Sequence, residues 1–268
     1  MNDFNIRQLK DPSSLRGIEK LQKEIWGFSD IAVVPDHLLI ALSHISCGAA
    51  HVAYYGDKPV GFALSIITQR SASDKIIYSH MLGVVKEFRN RSIATNLKMA
   101  QKKYAQENNI SKITWTFDPL MTAAARVCFG KLGVKVTGFY KNFYENLRDT
   151  LSSDSSTDRF MVEWDSNCSI EKACDLSSIP DCIKWDLLNP AISSDTLNSE
   201  AEEIVCSVPL NWHTLKTDNP ESATTWRSFT GQVFEKLFAS GYTPTDFVCD
   251  FENNKGQYLF KKTGQTQR

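Results

Sequence analysis

At 268 residues, 42% of them hydrophobic and 23% charged, the chain can bury one large core or two modest ones, and its composition excludes disorder as the default. A formal net charge of −1 excludes a broad basic face for nucleic acid, so no nucleic-acid partner is expected. No apolar run approaches the ~18–20 residues of a membrane span. Met1-Asn2-Asp3-Phe4 lacks a signal peptide's charged and apolar regions, and the expectation is a cytoplasmic protein without a membrane partner.

In chain order, Phe4–Leu9 reads as a short strand. Asp11 then caps a helix with Pro12 at its first position and an apolar stripe of Leu15, Ile18, Leu21 and Ile25. Pro35-Asp36-His37 opens a second helix that runs to about Cys47, with Gly48 as its stop. The stretch "AAHVAYYGDKPVGFALSIITQ" is two strands joined at Gly56-Asp57-Lys58-Pro59. "KIIYSHMLGVV" follows as a mostly buried strand, and a helix from about Arg91 carries Ile93, Leu97, Ala100 and Tyr104 on one face. "SKITWTF" is a strand and "LMTAAARVCFGKLG" a helix closed by Gly133, before two strands at "KVTGFYKNFYE" and "DRFMVEW". This order predicts an α/β (α+β) layer protein with a mixed sheet flanked by helices.

The turn between the buried strand and its helix, Arg89-Asn90-Arg91-Ser92-Ile93-Ala94-Thr95, carries the first functional signal. A helix amino terminus offers unsatisfied amides and partial positive charge, and small residues let a ligand approach the backbone. The amides of Asn90 to Thr95 can therefore cradle a pyrophosphate, with Arg89 or Arg91 adding charge. A plain exposed turn with solvated arginines is the competing reading, since no Walker-type lysine follows.

Arg89-x-x-Ser92-x-Ala94 resembles the R-x-x-G-x-G/A acyl-CoA motif of the GNAT acyltransferase superfamily, and "ARVCFGKLGV" from Ala125 resembles its A-x-x-L-Y-x-K-x-G-F stretch. "SHMLGVVKEFRNR", "ITWTFDPL", "NFYENL" and "STDRFMVEW" resemble a bacterial subgroup with a carboxy-terminal extension, and so does the segment from Val208 to Phe251. The resemblance implies a mostly antiparallel GNAT sheet over residues 1–165 and an extension over 166–268. It implies acetyl-CoA or another acyl-CoA as cosubstrate, lying in an opening between the fourth and fifth strands. Pantetheine would then bond to backbone near Leu82, Gly83 and Val84, and pyrophosphate to Arg89, Asn90, Arg91, Ser92, Ile93, Ala94 and Thr95. Ser92 stands where relatives usually carry glycine, Ala124 where many carry asparagine, and Phe129 where many carry a tyrosine that protonates the departing thiolate.

Acyl transfer to an amine needs a base, and His80, two residues before the expected pantetheine contact, is the first candidate. Asp118 is the second; a turn residue ahead of Pro119 is its bland reading. Tyr140, Asn142 and Tyr144, with Phe143, fall in a predicted strand that could line an acceptor site. Arg159 could grip a carboxylate through two hydrogen bonds. The seven cysteines form no C-x-x-C pair, and Cys168, Cys174 and Cys182 fit no zinc spacing, so free thiols and no metal are expected.

After Asp165 comes a polar connector, then a strand at Ile204–Pro209, a helix at Pro220–Ser240 bearing Trp226, Phe229, Val233 and Leu237, and a hairpin over Thr243–Lys262. This small β-α-β-β domain is expected to cover the sheet or form a homodimer contact. The function expected is transfer of an acetyl or similar short acyl group to the amine of a small molecule such as an amino acid. A catalytically silent CoA-binding or regulatory protein is the alternative.

Overall fold

Asp11 caps the first helix as predicted, its carboxylate accepting from the Ser14 amide at 3.1 Å. That helix is shorter than expected. α1 (Pro12–Leu15) and α2 (Ile18–Trp26) are separated at Gly17, whose φ of 86° lies in the left-handed region open to glycine. The interruption lets the Gly17 amide donate to Asp36 Oδ2 at 2.8 Å, at the head of α3 (Asp36–His44). α3 also stops earlier than its pattern suggests, because Ser46 takes a left-handed φ of 57° and Gly48 opens a strand.

The computed structural model describes residues 4–27, 33–71, 74–145, 156–165, 176–197 and 200–263. Cys168, Cys174 and most of the polar connection ahead of Arg159 lie outside them. The described chain divides into two compact units, one of residues 4–115 with 164–165, the other of 116–145, 156–163 and 176–263. Among the described residues, no helix is long and apolar enough to cross a membrane.

The first unit is an antiparallel meander of β1 (Phe4–Leu9), β2 (Gly48–Tyr55), β3 (Lys58–Ser71) and β4 (Asp74–Val84), with β5 (from Lys112) parallel to β4. Alternation along the strands sends Val52, Phe62 and Leu64 into a core with Leu15, Leu21, Ile25 and Leu39 of the first helices. The alternate residues Ala53 and Ala63, with Val60 turned to the same side by a bulge between Ala53↔Gly61 and Tyr54↔Pro59, pack with Ile93 and Leu97 of α4 (Ile93–Glu107). Small side chains on that face let α4 lie close. A Cβ on Gly61 would come within 3.1 Å of Ile93.

The second unit holds the carboxy-terminal end of β5 (through Phe117), α5 (Thr122–Val127), its π-turn continuation to Leu132, β6 (Lys135–Tyr140) and residues 159–163 of its antiparallel partner β7 (Arg159–Asp165). Further along come β8 (Ile183–Lys184), β9 (Ala191–Ile192) and α6 (Ser194–Leu197). β10 (Glu203–Pro209), α7 (Trp212–Asp218), α8 (Pro220–Ala239), β11 (Tyr242–Asp250) and β12 (Lys255–Lys262) then build a sheet of order β10-β12-β11. Its core is aromatic. Phe139, Phe160, Phe234, Phe238, Tyr258 and Phe260 meet mostly edge to face at centroid distances of 5.0–6.4 Å, the geometry favoured by ring quadrupoles. Phe129 belongs to this core, 6.5 Å from Phe117 and 5.9 Å from Tyr258, and is 5% exposed.

Candidate functional site

β4 and β5 pair only briefly, at Ile77↔Ile113 and Tyr78↔Thr114. Two residues on, β4 is bulged. Its register with β3 passes from Ser65↔Ser79 to Leu64↔Met81, which leaves His80 as the extra residue. A bulge bends its strand and interrupts the ladder. Leu82, Gly83 and Val84 therefore continue β4 beyond its last paired position with β5, and their edge can bond an extended ligand as an added strand would. Gly83 has a second task. A Cβ there would stand 2.4 Å from Ile25 and 2.5 Å from Trp26, so its bareness seats α2 against the strand.

The turn that follows is shaped by two left-handed residues, Asn90 at φ 62° and Ser92 at φ 60°. This explains the preference for glycine at the Ser92 position, since a serine held there costs about 1–2 kcal/mol. The helix begins at Ile93, two residues later than its sequence suggested, and its first bond runs from the Asn96 amide to the Ser92 carbonyl at 3.0 Å. The amides of Ile93, Ala94 and Thr95 therefore stand ahead of the helical ladder, at the positive end of a helix of 15 residues. Arg89 is pinned beside them, its Nε donating to the Val84 carbonyl at 3.1 Å, while the Arg91 guanidinium lies 5.5 Å over the Phe88 ring. Both arginines are exposed. The arrangement can hold a diphosphate.

His80 is exposed at the sheet surface, with its ring 6.1 Å from that of Tyr78. The protein around it still strips enough water to lower its pKa below the ordinary histidine value, so its neutral form dominates near pH 7. A neutral imidazole has a lone pair to accept a proton.

In the second unit Asp118 is committed elsewhere. Its oxygens accept from both terminal nitrogens of Arg227, at 2.8 and 2.5 Å, and from the Leu120 amide at 2.9 Å, with Arg159 at 4.0 Å. Burial alone would push this carboxyl up; the Arg227 guanidinium outweighs it and, with Arg159, holds the pKa below the usual carboxylate range. Such a group is a weak base. Arg159 is buried too, donating to the Asp158 carbonyl at 2.9 Å beneath the Tyr144 ring, 5.2 Å away.

The strand expected through Tyr140, Asn142 and Tyr144 ends at Tyr140. Asn142 and Glu145 both adopt φ 48°, and the amides of Asn142, Phe143 and Tyr144 bond to Asp158 and Thr157 as a turn. The turn leaves Tyr140, Phe143 and Tyr144 exposed as a ring cluster with centroids 5.6 and 4.8 Å apart. Arg227 had no place among the sequence candidates. Its one signal is a charge set beside Trp226 on the buried face of α8.

Residues 16–134 match the model of a family described as the acetyltransferase (GNAT) family. Similar solved structures include Naa50 of Arabidopsis thaliana in complex with a bisubstrate analogue, 19% identical, covering 60% of this chain and 97% of that one at a TM-score of 0.47. An acetyltransferase of the GNAT family from Streptococcus pneumoniae is 11% identical, with coverages of 60% and 97% and a TM-score of 0.48. An IAA acetyltransferase from Bacillus cereus is 11% identical, with coverages of 60% and 99% and a TM-score of 0.45. No curated protein matches the chain.

Proposed function

We propose that this protein, whose residues 16–134 match the model of the acetyltransferase (GNAT) family, transfers an acetyl or similar short acyl group from acyl-CoA to the amine of a small molecule such as an amino acid. The observation that carries the reading is the junction of bulged strand and helix: a β4 edge at Leu82–Val84 beyond its pairing with β5, then a left-handed turn at Asn90 and Ser92 that opens α4's amides. Pantetheine pairs with the edge. Diphosphate sits on the amides of residues 90–95 with Arg89 and Arg91 beside it. An amide freed at the bulge polarises the thioester carbonyl, and neutral His80 takes the acceptor's proton. Asp118 serves as the anchor of Arg227. Arg159, in the second unit, is spent on Asp158 and Asp118.

Two measurements test this. Release of free thiol from acetyl-CoA or succinyl-CoA should accelerate with at least one member of a panel of amines and amino acids. No acceleration by any of them, with CoA bound, would favour the silent binder. In calorimetry, Ser92→Glu should weaken CoA binding tenfold or more by setting a carboxylate against the diphosphate, while Ser92→Gly, suited to φ 60°, should keep it. Equal affinity of Ser92→Glu and wild type would remove the cradle.

A further inference from the structure

Four strand ends converge beside the turn that leads into α4. Register sets Phe4 opposite Tyr55 across β1 and β2, and Tyr55 opposite Lys58 across the Gly56-Asp57 turn. The Val85 amide donates to the Val60 carbonyl at 2.9 Å, which fixes the end of β4 against the start of β3. Phe88 follows at the end of a short helical turn, Lys86–Phe88. Its ring meets those of Phe4 and Tyr55 at centroid distances of 6.2 and 5.6 Å. Phe4 and Phe88 also pack against the buried cluster that contains Ile93 and Leu97, so this aromatic corner is anchored in the core under α4.

Two cations stand on the corner. Lys58 Nζ lies 5.6 Å, and the Arg91 guanidinium carbon 5.5 Å, from the centre of the Phe88 ring. The ring quadrupole attracts both, and because the ring is anchored it fixes where the charges stand. Both side chains are exposed and open to a ligand. Lys58 has one ion pair, with Glu24 at 3.6 Å, between side chains that are 56% and 42% exposed. A pair so well solvated is worth little, and a more highly charged anion displaces it.

We infer that Lys58 receives the 3′-phosphate of the CoA nucleotide, with Arg91 standing between that group and the diphosphate. The inference rests on the acyl-CoA reading above, which seats the diphosphate on the amides of residues 90–95. In CoA the diphosphate and the phosphate monoester are attached to the same ribose, so the second phosphate lies a few bonds from the first. Arg91 belongs to the diphosphate turn and shares the Phe88 ring with Lys58, which makes the two cations one continuous positive edge. A phosphate monoester is close to a dianion at pH 7, and a lysine ammonium meets it as a point charge. Thioesters of phosphopantetheine that lack the nucleotide forgo this contact, so Lys58 selects for free acyl-CoA.

Calorimetry of the full-length protein with CoA and with dephospho-CoA, which lacks only the 3′-phosphate, tests the assignment. A charge-assisted contact corresponds to about tenfold in affinity, and wild type should prefer CoA by roughly that factor at low salt. The preference should shrink at about 1 M salt, where the screening length is about 3 Å. Lys58→Met should lose most of the preference and Lys58→Arg should keep it. Dephospho-CoA should bind wild type and Lys58→Met alike, which shows an intact diphosphate turn. Equal affinity of wild type for the two ligands would overturn the inference and leave the acyl-CoA reading standing, and so would a preference that is unchanged in Lys58→Met. Failure of either ligand to bind wild type would remove the acyl-CoA reading and this inference together.

Discussion

Replacing Asp118 by asparagine should cost the fold about 3–5 kcal/mol, the size seen when one partner of a buried ion pair is removed. The substitution leaves the Arg227 guanidinium, 5% exposed and with its Nε lacking an acceptor among the described residues, with Asp158 as its remaining counter-charge. Arg227 also stacks 5.1 Å from the Trp212 ring, so a shorter or neutral side chain there loses packing as well. Arg227→Met should also be costly, because it leaves the buried carboxylate only Arg159, 4.0 Å away, as a counter-charge. The double variant should recover a large part of the loss, since the neutral asparagine–methionine pair leaves neither buried charge of this ion pair unmatched. Urea denaturation of the four proteins gives the coupling energy. Single substitutions that cost less than ~1 kcal/mol would show that the pair does not secure this unit, and would reopen Asp118 to a chemical role.

Stability should also fall by about 2–3 kcal/mol when the pH is lowered from 7.5 to 4.5, through His51. This histidine is 4% exposed on β2, with its ring 5.9 Å from Tyr104 and its Nδ1 without a partner among the described residues. Desolvation lowers its pKa to about 4. An unfolded histidine titrates near 6.5, so below that pH the unfolded chain takes up a proton that the folded protein refuses until about pH 4. More protons on the unfolded state means stability that is present above 6.5 and lost as pH falls toward 4. Asp118, with its lowered pKa, withdraws its contribution only below the ordinary carboxylate range. Asp181, whose carboxyl burial pushes up, acts in the opposite sense. The quantity to measure is therefore the difference between wild type and His51→Leu in denaturation at the two pH values. Equal pH dependence in the two proteins would contradict this account.

What the sequence determined by itself was local. The Asp11 cap, the Gly56 hairpin and the Arg89–Thr95 turn were legible because each depends on a few adjacent residues whose backbone preferences set the geometry. The period-2 strands and the apolar face of α4 were legible for the same reason. Gly17 and Ser46 broke helices that their apolar patterns continued through, because a left-handed residue ends a helix whatever stripe surrounds it.

The tertiary structure decided everything that rests on a partner far along the chain. Asp118 looked like a base after a strand, and Arg227, 109 residues away, makes it an anchor. Tyr144 left its predicted strand because Thr157 and Asp158 take up the amides of its turn. The bulge at His80 is a register difference between two strands, so neither strand shows it alone. Lys98 reads as one more lysine of a helix until Ser79 and Trp115 close around it. Charge and hydrogen-bond energies depend on the distance between groups and on the water excluded from them, and folding sets both quantities.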